Sequence, residues 1–248
     1  MNTQNQIFNS YDQRMKKSDE ELSRQAVFLK NVFTENYCMF CPPPRGQEYI
    51  LEIGCNKGFL MKAIKERYSE SKAIGIDLSP HDIQYAREYV PEAEFYCIDA
   101  FDYLEKNQGK FDMIFAKDIM EHIPKERQEK FVRILYGALK ENGLCIIQVP
   151  NMDWLFSMHE RYMDFTHEIG YTRESFADIF RLVFGEKIQV KPSTYIWPSK
   201  EKSLKVRLAY RYVRPMLIRI LKVLLKFIGE GASDTWFYHR EIMVIARK

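Results

Sequence analysis

The chain has 248 residues, of which 46% are hydrophobic and 29% charged, with a formal net charge of +3. That is enough apolar material for one α/β domain with additions, in a composition unlike that of disordered or fibrous chains. No apolar run approaches the ~18–20 residues of a spanning helix, the polar N-terminal stretch predicts no secretion signal, and the cysteines form no disulfide framework, so a reducing cytoplasm is expected.

Ser18-Asp-Glu-Glu21 reads as a capping box that opens a helix running to about Asn36. Pro42-Pro-Pro-Arg-Gly46 stops it. Residues 1–45 are therefore expected to form an N-terminal helical arm, with Phe8 and Tyr11 placed to close as a lid over a bound ligand. Cys38-Met-Phe-Cys41 lacks the second pair that a zinc site would need and reads as packing.

From Tyr49 the pattern alternates strand and helix. Tyr49–Ile53 is a buried strand, followed by a turn bracketed by Gly54 and Gly58 and a helix with Leu60, Ile64 and Tyr68 on one face. Such a turn brings backbone N–H groups and a helix N-terminus up to a charged small molecule. A dinucleotide fingerprint would need a third glycine where Phe59 stands. Glu52 at the strand end would repel a pyrophosphate and suits a ligand with an ammonium group, while Asn56 tolerates a positive φ.

The second strand, Ala73–Ile76, ends at Asp77 and Leu78; Ser79 then caps a helix with Pro80 at its first position and Asp82 at N3. The third, Glu94–Ile98, ends at Asp99 and Ala100, and the fourth is Phe111–Ala116. A helix over Pro124–Lys140, closed by Asn142-Gly143, precedes the fifth strand, Leu144–Val149. Thr172 caps a helix through Phe184, a sixth strand lies near Lys187–Lys191, and the last runs over Trp236–Arg247. The alternation predicts an α/β fold, a Rossmann-like, doubly wound, mostly parallel seven-stranded sheet over residues 46–248, with ligands at the carboxyl ends of its strands. Glu52, Asp77 and Asp99 then share one edge, as ligand-binding groups or as caps of the helices that follow.

Glu201–Gly229 holds eight Lys or Arg against the single acid Glu201, so one segment carries the basic character. Residues 197–232 read as a basic helical insertion before the last strand, with Pro215 separating two helices. Leu217, Ile220, Leu221, Leu224 and Leu225 can share a face there. Packing against the core or a partner, or peripheral contact of 204–228 with an anionic membrane, fits such a stripe; nucleic acid is not expected, because no aromatic–basic sheet face is present. The oligomeric state is left open.

Glu52, Gly54, Asn56 and Gly58 in this strand–turn–helix resemble motif I of the class I S-adenosylmethionine (SAM)-dependent methyltransferases, with Asn56 at the place of the middle glycine. The resemblance covers residues 47–195 and the last strand. It implies SAM as cofactor, held by Glu52, Gly54, Asn56, Gly58, Asp77, Leu78, Asp99, Ala100 and Lys117. Asp99 and Ala100 fall where the family holds adenine; Lys117 and Asp118 fall where its backbone passes the methyl-sulfonium end. Phe115–Pro124 resembles the segment after strand four of small-molecule methyltransferases, in which a Glu-His pair precedes a short loop. Three roles are open to Glu121-His122: His122 as general base; Asp118, Glu121 and His122 as ligands of a divalent metal, as in a subset of the family; or capping of the loop.

Arg161–Thr172 resembles a feature of methyltransferases encoded with bacterial surface-glycan synthesis, which makes His167 a second candidate base. Alternatively Thr166, His167 and Thr172 satisfy a helix-entry loop. Asp153 and His159 have only their position after strand five to recommend them. The resemblance implies O-methylation of a sugar or glycan-precursor hydroxyl, a reaction in which an alcohol proton must leave and a His base is at home. A quinone-like or other small-molecule acceptor, and an inactive SAM-binding partner protein, are the alternatives; a nicotinamide oxidoreductase is opposed by the glycine spacing.

Overall fold

The computed structural model describes residues 18–193, 204–228 and 238–248. Phe8, Tyr11, Trp236 and the ends of the basic insertion lie outside these residues. A seven-stranded sheet runs in the order β3-β2-β1-β4-β5-β7-β6. Its members are β1 (Tyr49–Ile53), β2 (Lys72–Asp77), β3 (Glu94–Cys97), β4 (Phe111–Lys117), β5 (Leu139–Pro150), β6 (Ile188–Pro192) and β7 (Glu241–Arg247). All run parallel except β7, which inserts antiparallel between β5 and β6. The doubly wound, mostly parallel sheet is the fold that the strand–helix alternation leads one to expect.

Both faces are covered, so apolar residues alternate between two cores. From β4, Ile114 and Ala116 enter one cluster, with Cys145, Ile147, Val244 and Ala246. Met113 and Phe115 enter the other, with Ile146, Met243 and Ile245. Helices α2 (Phe59–Arg67) and α3 (Pro80–Tyr89) cover the second face; α4 (Ala100–Glu105), α5 (Lys125–Ala138) and α7 (Arg173–Phe184) cover the first. A short helix, α6 (Ser157–Tyr162), lies in the loop after β5.

Helix α1 (Asp19–Val32) starts at the expected capping box: Ser18 N donates to Glu21 Oε2 at 2.8 Å and Glu21 N to Ser18 Oγ at 3.4 Å. It continues into a π-helical turn, Phe33–Tyr37. Val32, Phe33, Tyr37 and Cys41 are buried in the second core, so the later half of the expected arm is built into the domain's interior. Cys41, Cys55 and Cys145 are buried free thiols, whereas Cys97 is exposed on the edge strand β3.

Two elements differ from the expectation. α5 stops at Ala138, before Asn142-Gly143. The N–H groups of Gly109 and Lys110 take the carbonyls of Gly137 and Ala138 at 2.8 and 2.9 Å, and Leu139 pairs with Phe111. The chain entering β4 thus caps the helix, and Asn142, at φ +64°, serves a bulge instead. Pro215 does not separate helices either. α8 (Leu204–Leu208) leads through a π-helical stretch, Ala209–Val213, straight into α9 (Arg214–Ile228). The wider turn accommodates a ring that would clash with the carbonyl four residues back.

β-Strand packing leaves no room at Gly75, where an added Cβ would lie 2.6 Å from the Phe95 ring and 2.9 Å from Cys55 Sγ. Gly75→Ala is therefore expected to cost about 1–3 kcal/mol by overpacking. Urea denaturation checks this, and Phe95→Leu in the same chain should recover part of the loss.

Candidate functional site

The carboxyl edge of the sheet gathers the chemistry in three adjoining groups. The first is the turn after β1. Gly54, Asn56 and Gly58 have φ of +70°, +45° and +78°. Gly54 N and Cys55 N both donate to Ile76 O, at 2.8 and 3.0 Å, which pins the turn to β2. Asp77 bridges loop and helix: its Oδ2 accepts from Asn56 N and its Oδ1 from Ser79 N, each at 2.9 Å. Asn56 adds what a glycine cannot, since its Nδ2 donates to Asp82 Oδ2 at 2.9 Å on α3. Lys57 pairs with the other oxygen of Asp82. The Ile119 side chain lies over Gly54, where a Cβ would come within 2.1 Å of Ile119 Cδ1.

Glu52 is 4% exposed, and its Oε2 has no hydrogen-bond partner among the described residues. Burial, with the nearby Asp77 carboxylate, pushes its carboxyl well above the ordinary range. A buried carboxyl oxygen without a partner costs free energy that a ligand's N–H donors would offset. Burial likewise raises Asp77. Asp99 caps α4, its Oδ1 accepting from Phe101 N at 2.8 Å, and Ala100 opens that helix. Leu78 is exposed beside Asp77. Edge carboxylates, turn and apolar rim thus stand together as the strand-end pattern leads one to expect. Asp99 also performs the helix-capping job considered as its alternative role, whereas Ser79 and not Asp77 caps α3.

The second group surrounds Lys117 at the end of β4. Its buried ammonium donates to Glu241 Oε1 at 2.8 Å and also pairs with Asp118. Burial would lower its pKa, but the two carboxylates hold it above the ordinary lysine value. Glu241 Oε2 accepts from Gln148 Nε2 at 2.6 Å, and Gln148 Oε1 accepts from Tyr37 OH at 2.9 Å. Tyr37 stacks on Phe115, with ring centres 5.9 Å apart. Lys117 is thus committed to an internal ion pair. Asp118, at φ +55°, donates its N–H to Gln148 O at 2.9 Å, while its Oδ1 is buried without a partner among the described residues.

The third group joins two loops. His122 Nδ1 lies 2.9 Å from Thr166 Oγ1, and Thr166 Oγ1 lies 2.7 Å from Asp164 Oδ1. A carboxylate only accepts, so Thr166 donates to Asp164 and accepts from His122 Nδ1–H. His167 Nδ1 lies 2.8 Å from the carbonyl of Glu160, which also only accepts. Both rings therefore carry a proton on Nδ1, and in the neutral form of either ring the lone pair is on Nε2. They stand 4.7 Å apart between centres. Burial, followed by the neighbouring His167, lowers the pKa of His122.

Glu121 is buried beside them with neither carboxylate oxygen hydrogen-bonded among the described residues. Ligand atoms of Glu121, His122 and His167 all lie within 4.8 Å of one another. Of the three roles open to this segment, a metal site formed of Asp118, Glu121 and His122 is not the grouping seen: the ligand atoms that lie together are those of Glu121, His122 and His167, and the Asp118 side chain turns to Lys117. Arg161 holds the loop by donating to the carbonyls of His167 and Glu168 at 2.6 and 3.0 Å. Asp153 accepts from Arg173 N at 3.3 Å, and His159 is exposed, so neither joins the group.

Gln148, Glu241 and Asp164 have no motif spacing that would single them out. The aromatic, acid-rich loop at 161–172 is the only sequence signal pointing towards Asp164. At neutral pH, nitrogen NMR is expected to find His122 neutral as its Nδ1–H tautomer, titrating below ordinary histidine. An Nε2–H form of His122 in the wild type would remove the Asp164–Thr166–His122 relay, and Thr166→Val should release its tautomer preference.

Residues 50–143 match a family model described as methyltransferase domain. An uncharacterized protein of Rickettsia prowazekii is 31% identical over 111 residues, covering 43% of this chain and 44% of that one. Trans-aconitate 2-methyltransferase of Escherichia coli is 29% identical over 163 residues, covering 64% of this chain and 59% of the enzyme. The chain thus spans about half the length of the curated relatives it matches. The crystal structure of a SAM-dependent methyltransferase from Archaeoglobus fulgidus superposes with a TM-score of 0.65 at 18% identity, over 97% of this chain and 99% of that one. Residues 50–143 are thus similar to a methyltransferase domain, and the chain as a whole shares the fold of the Archaeoglobus fulgidus SAM-dependent methyltransferase.

Proposed function

We propose that the protein is a SAM-dependent methyltransferase that O-methylates a sugar or glycan-precursor hydroxyl. One observation carries the cofactor reading: the buried Glu52 carboxylate, with an unpartnered oxygen, beside the left-handed turn from Gly54 to Gly58. The donor set fits a ligand with an ammonium group and a nucleoside. Glu52 would hold the ammonium, the free oxygen of Asp99 and the exposed Leu78 would meet the base, and the lone pairs left on Asp77 suit ribose hydroxyls. SAM, when bound, supplies an electrophilic methyl group on a positively charged sulfur.

The chain's own residues then have two tasks. One is alignment, since a methyl transfer to a positioned nucleophile needs little covalent help. The other is the acceptor's proton. His122 Nε2 would take the acceptor hydroxyl's proton while the methyl group that SAM supplies leaves its sulfur as a neutral thioether, and the imidazolium would keep its Nδ1–H on Thr166. Asp164 stabilises that charge through Thr166. Although burial alone would raise Asp164, its hydrogen bonds from Thr166 hold it below the ordinary carboxylate range. His167 Nε2, on the same side, is the second candidate acceptor of the proton. A hydroxyl acceptor is favoured because this relay has no use with an acceptor that is already ionised, such as a phenolate of a quinone-like ring.

A second reading has its own observation. Glu121, His122 and His167 offer one carboxylate and two imidazole lone pairs within 4.8 Å, a donor set suited to a divalent cation. Such an ion would lower the pKa of a bound hydroxyl and take over the work of a base.

Calorimetry with S-adenosylhomocysteine tests the cofactor site. Because Glu52 is raised, it is neutral at low pH and cannot pair with the ammonium; affinity should rise with pH as the carboxyl ionises. Glu52→Gln should abolish that rise and weaken binding by on the order of 10–100-fold. Absence of any uptake by the wild type would sink the proposal. With a panel of glycan precursors and labelled SAM, His122→Ala is expected to lower kcat by on the order of 100–10,000-fold. Loss of turnover to a chelator, restored by a divalent cation, would replace the base with the metal reading. Tight cofactor binding without methylation of any acceptor would leave an inactive SAM-binding partner protein.

A further inference from the structure

Two apolar surfaces flank the carboxyl edge, and neither is used by the proposed chemistry. On α9, Met216, Leu217, Ile220, Val223, Leu224 and Phe227 are exposed. Their spacing of one, three, three, one and three places them on one stripe of the helix. The opposite side, with Ile218, Leu221 and Leu225, is half-buried. The helix is therefore apolar on two sides, and the outward one has no cover among the described residues. The single face expected to hold Leu217, Ile220, Leu221, Leu224 and Leu225 is thus split between the two. The second surface lies in the loop after β5, where Leu155, Phe156, Met158, Tyr162, Met163 and Phe165 are exposed, Phe165 to 88%.

Both are fastened to one short segment. β7 is antiparallel, so the residues just before Glu241 stand at the same edge as Lys117. Arg214 on α9 donates to Tyr238 O at 3.1 Å, and Lys222 lies 5.1 Å above the Tyr238 ring. Arg240 donates to Glu160 on α6 at 3.0 Å, and Asn151 Nδ2 donates to His239 O at 2.8 Å. The Glu160 carbonyl in turn fixes His167. The two apolar surfaces are accordingly anchored next to the His122–His167 pair.

We infer that this rim docks on an anionic lipid surface, with the outer stripe of α9 and the 155–165 loop entering the headgroup boundary. The charges select this occupant. Arg219 and Lys226 on α9, and Arg211 in the π-helical stretch before it, are exposed, and residues 204–228 contain no Asp or Glu. A second copy packed on the stripe would set these cations against one another without compensation, whereas anionic headgroups offset them. The helix lies on the surface and does not cross it: no described helix is long and apolar enough to span a membrane. Taken with the proposed methyl transfer, on which this consequence rests, the docking presents the site to acceptors whose hydroxyl-bearing head stands at the interface while an apolar tail stays in the bilayer.

The test uses the full chain and sedimentation with vesicles of phosphatidylcholine alone or mixed with phosphatidylglycerol. Binding is expected to the mixed vesicles and to fall as salt rises. Arg219→Gln with Lys226→Gln should lower partitioning roughly thirtyfold. Ile220→Asp with Leu224→Asp, or Phe156→Ser with Phe165→Ser, should each remove most of it. These side chains are exposed, so uptake of S-adenosylhomocysteine by each variant should match the wild type, which shows that the domain is intact. No sedimentation with mixed vesicles at low salt, or sedimentation unchanged in every variant, overturns the inference. So does a dimer on size exclusion that only the Ile220/Leu224 variant dissolves, without vesicle binding by either form. Vesicle binding by a protein that takes up no S-adenosylhomocysteine would sink the methyltransferase reading and leave the docking in place.

Discussion

The buried ammonium of Lys117 ties the two halves of the sheet together at its working edge. Taking such a charge out of water costs several kcal/mol, on the order of what a domain's net stability can tolerate losing, so its partners must be near and must stay. Glu241 and Asp118 meet that need from opposite sides. Because Glu241 opens β7, the pair fixes where the last strand begins, and through Gln148 and Tyr37 the same chain of hydrogen bonds reaches β5 and the turn after α1. Everything anchored just before Glu241, including α6 and α9, takes its position from this contact.

Around this ion pair other carboxylate oxygens are left incomplete instead of satisfied. Glu52, Glu121 and Asp118 each keep a buried oxygen without a partner among the described residues. In a domain whose cores are otherwise tightly alternated, these orphaned carboxylate oxygens at one edge are what the proposed cofactor and acceptor sites rest on. The surrounding geometry is firm: the turn is pinned by two bonds to Ile76, and each imidazole is held by its Nδ1 proton. Such rigid supports are what the proposed alignment of cofactor and acceptor requires.

Local chemistry carried much of this into the sequence. The capping boxes at Ser18 and Thr172, the Ser79-Pro80 entry and the glycine turn act within a few residues, so composition and spacing reveal them. Asn56 is legible in its tolerance of a positive φ, but its bond to Asp82 spans 26 residues and is not. The end of α5 was misplaced for the same reason. Asn142-Gly143 is a sound local stop, yet the N–H groups of Gly109 and Lys110 reach the helix carbonyls first. Pro215 reads as a break because only the three-dimensional path shows that a π-helical stretch absorbs its ring.

By itself, the sequence determined the strand–helix alternation, the row of acids at the strand ends and the strained turn, because each follows from side-chain periodicity or from backbone angles that few residues accept. Only the tertiary structure decided that His167 and not Asp118 stands with Glu121 and His122, that Lys117 is spent on Glu241, and that the apolar side of α9 lies beside the same edge. Those pairings join residues 45 to 124 positions apart, at distances set by sheet order and not by spacing along the chain.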